Sequence, residues 1–179
     1  MLTNSPTHYG YITRLIHWLM AALFIAMFII AYIMTNIPKS DFRMSLYDLH
    51  KSTGLLLLGL LMIRMTWRYF NIKPDAIHSL PWWQKFTAQM TLVLLYALML
   101  VMPFSGFLTS TLGGHDITIY GILTILPLGH NAAQSAFFAE AHEILSYLLI
   151  GFFVLHVLGV LYHHYIMKDA TLRRMWRAR

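Results

Sequence analysis

The sequence contains no cysteine, and only 11% of its 179 residues carry a formal charge. Without cysteine the chain cannot form disulfides or bind iron through thiolate ligands. A soluble domain of this size carries about 25% charged residues. The deficit, together with 58% hydrophobic residues, indicates that most of the chain lies in lipid. The length allows one domain, which we assign to residues 1–179.

Acidic residues are scarce as well: 7 Asp and Glu stand against 13 Lys and Arg, which gives a formal charge of +6. In a membrane protein such an excess usually marks cytoplasmic loops, so we expect no nucleic-acid partner. No Asp or Glu lies in the middle of an apolar stretch. That absence argues against a histidine-rich transporter that works without a cofactor.

Four apolar stretches are long enough to cross a bilayer core, which takes about 20 mostly apolar residues per helix. They cover approximately residues 15–34, 49–67, 86–108 and 143–166. The sequence therefore predicts an all-α, four-helix membrane bundle. Pro103 and Gly106 predict a kink late in the third helix. No small-residue cleavage site follows the first stretch, so we expect no removable signal peptide.

The connection between the third and fourth stretches, residues 109–141, is long. Gly113, Gly114, Pro127 and Gly129 mark turns in it. The apolar pieces between these turns predict short interfacial helices near residues 117–126 and 132–139.

Lys and Arg are distributed unequally between the two ends of the predicted bundle. Three lie at the end formed by the first and third connections: Lys39, Arg43 and Lys51. Ten lie at the end with both termini and the second connection: Arg14, Arg64, Arg68, Lys73, Lys85, Lys168, Arg173, Arg174, Arg177 and Arg179. The positive-inside rule therefore places both termini in the cytoplasm. An even number of helices also puts the termini on one side, so the two arguments agree.

Apart from His163 and His164 at the cytoplasmic boundary, four histidines lie within the predicted spans or directly beside them. An ionisable side chain inside a span is costly and functional by default. His142 and His156 are 14 residues apart, so they lie about 40° from the same helix face and about 21 Å apart along the axis. The predicted topology puts His17 at the depth of His156, and His50 at the depth of His142. A lone histidine near a helix end more often lies among lipid headgroups. Two pairs at matched depths instead predict axial ligands for two haems stacked across the bilayer.

A zinc site is the obvious rival, but zinc ligands cluster at short spacing. Only His163 and His164 are close in sequence, and adjacent helical residues diverge by about 100°. Arg64 lies 14 residues after His50, on the same helix face. It is therefore either a boundary arginine that sets topology or a ligand for a buried acidic or carbonyl group.

Three segments resemble the bacterial cytochrome b561 family: RLIHWLMA (14–21), LHKSTGLLLL (49–58) and AHEILSYLLIGFFVLHVLGVLYHHYIMKDATLRRM (141–175). The resemblance covers nearly the whole chain, and it is greatest to the short stand-alone members known as superoxide oxidases. It implies a multi-pass protein of the bacterial inner membrane with two haems b, each held by two histidines. The family's haem ligands map onto His17, His50, His142 and His156.

The resemblance also implies electron transfer between superoxide outside the membrane and ubiquinone within it. Iron with two histidine ligands has no open position for oxygen, so superoxide must give up its electron without binding the metal. Lys39, Arg43 and Lys51 are our candidates for steering this anion, although contact with lipid headgroups would explain them equally well. Residues Arg14, Arg64 and His163 are our candidates for binding a haem propionate or a quinone.

A second function shares every one of these features. The chain could be a haem b electron-transfer anchor that links a separate dehydrogenase, hydrogenase or periplasmic partner to the quinone pool. Such a partner could dock on the connection at residues 109–141. The short tail after the fourth stretch favours a self-contained protein. An anchor should bind haem normally but react poorly with superoxide.

Overall fold

A computed structural model describes residues 1–75 and 81–176, so His78, Arg177 and Arg179 lie outside the described residues. Four long helices form most of it: α1 (Tyr11–Asn36), α2 (Asp41–Phe70), α3 (Trp82–Leu112) and α4 (Ala132–Leu161). A π-helical segment, Tyr162–Ile166, continues α4, and the short helix α5 (Thr171–Trp176) follows. Two short strands, β1 (Ile117–Ile119) and β2 (Leu123–Ile125), connect α3 to α4.

All four long helices are long and apolar enough to cross a membrane. Each also extends beyond the apolar stretch that predicted it, because polar residues continue the helix outside the bilayer core. At 1.5 Å per residue, the 30 residues of α2 span about 45 Å, against a hydrocarbon core of about 30 Å. Ser40 caps the start of α2, where its Oγ accepts a hydrogen bond from Arg43 N at 3.2 Å. Asn131 caps α4 in the same way.

The connection between α3 and α4 differs from the structure predicted for it. The prediction of a helix near residues 117–126 is wrong, because β1 and β2 pair there as an antiparallel hairpin. Three residues, 120–122, connect the strands, and the positive φ angles of Tyr120 (47°) and Gly121 (73°) are typical of tight hairpin turns. The β-branched residues on either side favour strands. Residues 132–139 are helical, but they belong to α4 rather than to a separate interfacial helix.

The hairpin is fixed on α2 by polar contacts close to His50. Ser52 Oγ donates to Thr118 O at 3.0 Å, and Tyr120 N donates to Ser52 Oγ at 3.2 Å. The hydroxyl groups of Thr53 and Tyr120 are 3.0 Å apart. The hairpin therefore covers the end of the bundle at which α2 begins.

The helix packing leaves one side of α4 apart from its neighbours. Among the described residues, close backbone contacts join α3 to α4, α1 to α2 and α2 to α3, whereas no comparable contact joins α4 to α1 or α2. An apolar core fills the middle of the bundle with Met20, Phe24, Met27, Leu57, Leu61, Leu95, Leu98 and Leu149. Leu149 lies midway between His142 and His156 on α4, so this core separates the two levels of the bundle that carry histidines.

Candidate functional site

The structure brings the four predicted histidines together as two pairs. His17 of α1 faces His156 of α4, with ring centroids 6.4 Å apart and ring planes at 81°. His50 of α2 faces His142 of α4, with centroids 6.2 Å apart and planes at 77°. We call the first the terminal pair, since it lies toward the chain termini, and the second the hairpin pair. Both pairs bridge the wider gap between α4 and the α1–α2 pair of helices.

The separation within each pair fits two imidazoles that share one metal. A metal binds an imidazole nitrogen at about 2 Å, and the ring centroid lies about 1 Å beyond, so opposed imidazoles on one metal have centroids about 6 Å apart. A zinc site does not fit, because no group of three or more His, Asp or Glu among the described residues could hold a metal ion. Two histidines per metal, beside a gap between helices, suit a haem b, whose macrocycle supplies the other four ligands.

The hairpin pair is held in a fixed orientation by α3. His142 Nδ1 lies 3.0 Å from Met102 O and 3.0 Å from Ser105 Oγ. Because a carbonyl oxygen can only accept, Nδ1 must carry the proton, and the lone pair of Nε2 stays available for iron. Gly106 gives the ring its room, since a Cβ there would lie 2.8 Å from His142 Cε1.

The partner of His142 has an unsatisfied nitrogen. His50 Nδ1 is buried and has no hydrogen-bond partner among the described residues. Buried polar nitrogens have hydrogen-bond partners in nearly all proteins. A buried histidine nitrogen without one, in a pair of facing histidines, is consistent with a site that binds a further group. Thr53, one turn further along α2, is buried and bonded to the hairpin.

The terminal pair has a different neighbour, the guanidinium of Arg64. Arg64 Nη1 lies 2.9 Å from His17 Nδ1, and Arg64 Nε donates to Tyr96 OH at 3.1 Å. An arginine can only donate, so His17 Nδ1 accepts and its proton lies on Nε2. Arg64 must therefore release Nδ1 before Nε2 of His17 can bind a metal. The long side chain of Arg64 can move while its other contact, to Tyr96, is kept.

A cavity of about 500 Å³ adjoins the terminal pair, a size typical of small-molecule sites, and a haem held by this pair would occupy the part of it between the two rings. His17, His156, Arg64 and Tyr96 all line it. Its remaining walls come mostly from apolar and aromatic side chains of α1, α4 and α5. Of the residues predicted to bind a propionate or a quinone, Arg64 therefore contacts the space in which such a group would lie.

The other two residues predicted for this role do not line that cavity. Arg14 Nη1 donates to Trp176 O at 3.4 Å, at the start of α1. His163 lies in the π-helical segment, and its Nδ1 is 2.6 Å from Asp169 Oδ2. Both side chains thus contact the α5 region rather than the cavity itself.

The three predicted steering residues lie toward the hairpin pair. Lys39 is exposed in the connection before α2, and Lys51 is half-buried and follows His50 directly. The guanidinium of Arg43 already has hydrogen-bond partners near the start of α2: Nη1 donates to Ile37 O and Nη2 to Tyr47 OH, each at 3.3 Å. Its guanidinium carbon also lies 5.6 Å from the Tyr47 ring centroid. Lys39 is therefore the most accessible of the three.

The residues that orient the histidines were not among those predicted from the sequence. Ser105 and the carbonyl of Met102 hold His142, and Tyr96 holds Arg64. The sequence did contain one indication of this site, because the polar residue Ser105 and the small residue Gly106 are adjacent in an otherwise apolar helix. Assigning it to His142 requires the register between α3 and α4, which the sequence alone does not give.

Comparison with known proteins agrees with this geometry. A family model described as prokaryotic cytochrome b561 matches residues 8–178. Cytochrome b561 homolog 2 of Escherichia coli (strain K12) is 33% identical over 175 residues, which cover 97% of this chain and 93% of that protein. Cytochrome b561 homolog 1 of the same organism is 27% identical over 164 residues, with 89% and 92% covered. The chain therefore belongs to the prokaryotic cytochrome b561 family, whose members are multi-pass inner-membrane proteins that transfer electrons through haem b.

Proposed function

We propose that this protein holds two haems b and passes electrons from superoxide, at the hairpin pair, to ubiquinone, at the terminal pair. The observation that carries the proposal is the presence of two histidine pairs of nearly equal separation, 6.2 Å and 6.4 Å, at two levels of one bundle. A single pair would serve one surface of the membrane. Two levels joined through α4 provide a route across it.

Bound haem b supplies one-electron transfer, and the protein supplies position and environment. In this proposal His50 and His142 hold one haem, and His17 and His156 hold the other. Two histidine ligands per haem would leave no open position at which an oxygen species could coordinate. The apolar core around Leu149 keeps water out of the space between the two levels.

Superoxide is an anion, so basic side chains near the hairpin pair favour its approach. Lys39 has the exposed position that this role needs, and Lys51 lies beside His50. Asp41 and Asp48 on the same helix partly offset these charges. The attraction is therefore local, and added salt should screen it at distances beyond about 8–10 Å.

Ubiquinone needs an apolar site with a few polar groups. A haem held by His17 and His156 would occupy the part of the cavity between them, so in this proposal ubiquinone binds in the part lined by Arg64, Tyr96 and α5. Arg64 Nε donates to the oxygen of Tyr96, which leaves the phenolic hydrogen free to donate to a carbonyl in the cavity. The charge excess predicts that this end faces the cytoplasm, where protons for quinone reduction are available. The hairpin pair would then face the periplasm.

The test uses the purified protein in mild detergent. We expect a superoxide pulse to reduce the oxidised protein, seen in its visible haem bands, and added ubiquinone to reoxidise it. Lys39→Gln should slow the first phase severalfold at low salt, whereas Lys85→Gln, at the other end of the bundle, should not. Haem that stays oxidised under superoxide but is reduced by a quinol would rule out the superoxide step.

One observation favours a second function, that of an electron-transfer anchor for another protein. The hairpin exposes apolar side chains close to the hairpin pair: Ile122 is 90% exposed and Leu126 is 73% exposed. An exposed apolar patch of this kind suits a protein interface. If this role is correct, the haem should be reduced through a bound redox partner and not by superoxide, and Ile122→Ser should weaken that coupling.

A further inference from the structure

Helix α5 forms one wall of the cavity beside the terminal pair. Thr171, Leu172, Met175 and Trp176 all line this cavity, which they share with His17 and His156. α5 has only six residues, and an isolated helix shorter than about 12 residues is marginal in water. Its position must therefore come from contacts with the rest of the protein.

One set of contacts joins α5 to α1. Trp18 Nε1 donates to Met175 O at 3.0 Å, and the rings of Trp18 and Trp176 meet edge to face with centroids 5.0 Å apart. Arg14 Nη1 donates to Trp176 O. Each of these contacts uses a group at the far end of α5, so they do not hold its beginning.

The beginning of α5 is held by Asp169. This residue is only 5% exposed, and its Oδ1 accepts a hydrogen bond from Thr171 N at 2.8 Å. Its other oxygen, Oδ2, is 2.6 Å from His163 Nδ1 in the π-helical segment. Burial raises the pKa of the Asp169 carboxyl, but the hydrogen bonds from Thr171 and His163 outweigh it and leave the pKa below its ordinary value. The carboxylate is thus charged at neutral pH, which strengthens both bonds.

The chain must reverse sharply for this contact to form. Lys168 has a positive φ of 53°, an uncommon conformation for a residue with a side chain. Asp169 N also donates to His163 O at 3.1 Å. Short π-helical segments of this kind often occur at functional sites. Here the segment presents His163 to Asp169 just before α5 begins.

We propose that His163 and Asp169 are positioning residues, which hold α5 as a wall of the cavity and thereby set the affinity of that cavity for its quinone. Neither side chain lines the cavity, so both act through α5. The identity of the ligand rests on the proposed function. The two hydrogen bonds of Asp169, with His163 and with Thr171 N, which we call the latch, do not depend on that function, because they are observed as contacts.

The first measurement tests the latch without any redox chemistry. The chain has no cysteine, so Met175→Cys introduces the only thiol, at a position that lines the cavity. We expect Asp169→Ala or His163→Ala to speed maleimide labelling of that thiol in the haem-loaded protein about tenfold or more, the effect of losing a hydrogen bond to a charged group. Asp169→Asn, which keeps an acceptor for Thr171 N, should give a smaller increase.

His164→Ala is the matched control. It removes the adjacent histidine, whose Nδ1 has no hydrogen-bond partner among the described residues, and should leave labelling unchanged. Labelling that is equally slow in the Asp169→Ala variant and its parent would overturn the latch. Equal acceleration by His164→Ala would overturn the specific role of His163.

The second measurement tests the effect on the ligand. We expect Asp169→Ala to raise the KM for ubiquinone about tenfold with little change in kcat and in the haem spectrum. Faster labelling with an unchanged KM would overturn the link between α5 and quinone affinity, while the latch would stand. If the parent protein did not react with ubiquinone at all, the proposed function would fail, and the labelling result would be unaffected.

Discussion

The hairpin pair and the terminal pair have almost the same internal geometry, but their surroundings differ. At the hairpin pair, a backbone oxygen and a hydroxyl oxygen of α3 form hydrogen bonds with Nδ1 of His142, and Gly106 lies directly against the ring. At the terminal pair, the guanidinium of Arg64 contacts His17 and a cavity adjoins both rings. One pair has a packed support, and the other has a neighbour that can change its contacts.

This difference suits two roles in one path of electrons. A tautomer fixed by a carbonyl keeps the same ligand geometry in every state of the protein. A site that exchanges a ligand such as a quinone needs free volume and groups that can move to meet it. The comparison therefore predicts that the hairpin pair is rigid and sensitive to packing, whereas the terminal pair is sensitive to charge.

The largest expected effect is the loss of one haem, which tests the pairing itself. His142→Ala should remove the haem at the hairpin pair and leave the other, because the hairpin pair would lose one of the two histidines that would hold it. His156→Ala should do the reverse. The measurement is haem bound per protein chain, which should fall by half in each variant. A variant that keeps all of its haem would show that its histidine is not a ligand.

Packing against the hairpin pair can be disturbed without removing a ligand. Gly106→Ala would place a Cβ 2.8 Å from Cε1 and 3.0 Å from Nδ1 of His142, so the ring must shift. We expect most of the haem at the hairpin pair to be lost and the haem at the terminal pair to remain. Gly59→Ala is the control, because its Cβ would meet nothing within 4 Å and the change should stabilise α2 by about 0.5–1 kcal/mol.

A smaller effect is expected when the Ser105 hydroxyl, which contacts Nδ1 of His142, is removed. Ser105→Ala removes one of two oxygens near Nδ1, while Met102 O still accepts its proton. We expect haem affinity at the hairpin pair to fall about tenfold, the lower end of the effect of such supporting residues. Titration of the haem-free protein measures it. Thr87→Ala, also on α3 but bonded only to Trp83 O, should behave as the parent does.

These variants also show which parts of the site the sequence could predict. Helical geometry and charge asymmetry were enough to place the four histidines in two pairs, because depth in a membrane follows directly from helix direction and rise. Ser105 and Gly106 could not be assigned, since their contact with His142 depends on how α3 and α4 are aligned. His163 lies at the end of the bundle where the sequence placed it, but its contact with Asp169 could not be predicted, because it depends on how α5 folds back.

The prediction of a helix between α3 and α4 was wrong for a different reason. A short apolar run such as residues 117–126 fits a helix and a strand about equally well by periodicity alone. Its contacts with Ser52 and Thr53 then favour the strands, because they supply partners for the backbone of the turn. Tertiary contacts thus decided the secondary structure at this position, whereas the four long helices needed only their own apolar length.

The last prediction concerns the charge that distinguishes the terminal pair. Arg64→Met removes the cation beside the terminal pair, which can stay on Tyr96 after it releases His17, and a nearby positive charge favours the reduced form of a haem over the oxidised form. We expect the reduction potential at the terminal pair to fall by tens of millivolts, where about 59 mV corresponds to a tenfold change for one electron. Arg64→Lys keeps the charge but not the planar fork, so it should give a smaller fall.

A redox titration of the visible spectrum separates this effect from a general disturbance of the protein. The hairpin pair lies about 21 Å away along α4, so its potential should stay unchanged in both Arg64 variants. Equal shifts at the two sites would mean that Arg64 acts through the whole bundle, which would contradict a local role. An unchanged potential at the terminal pair would mean that another group cancels the charge of Arg64. The difference between the two pairs would then lie in packing alone.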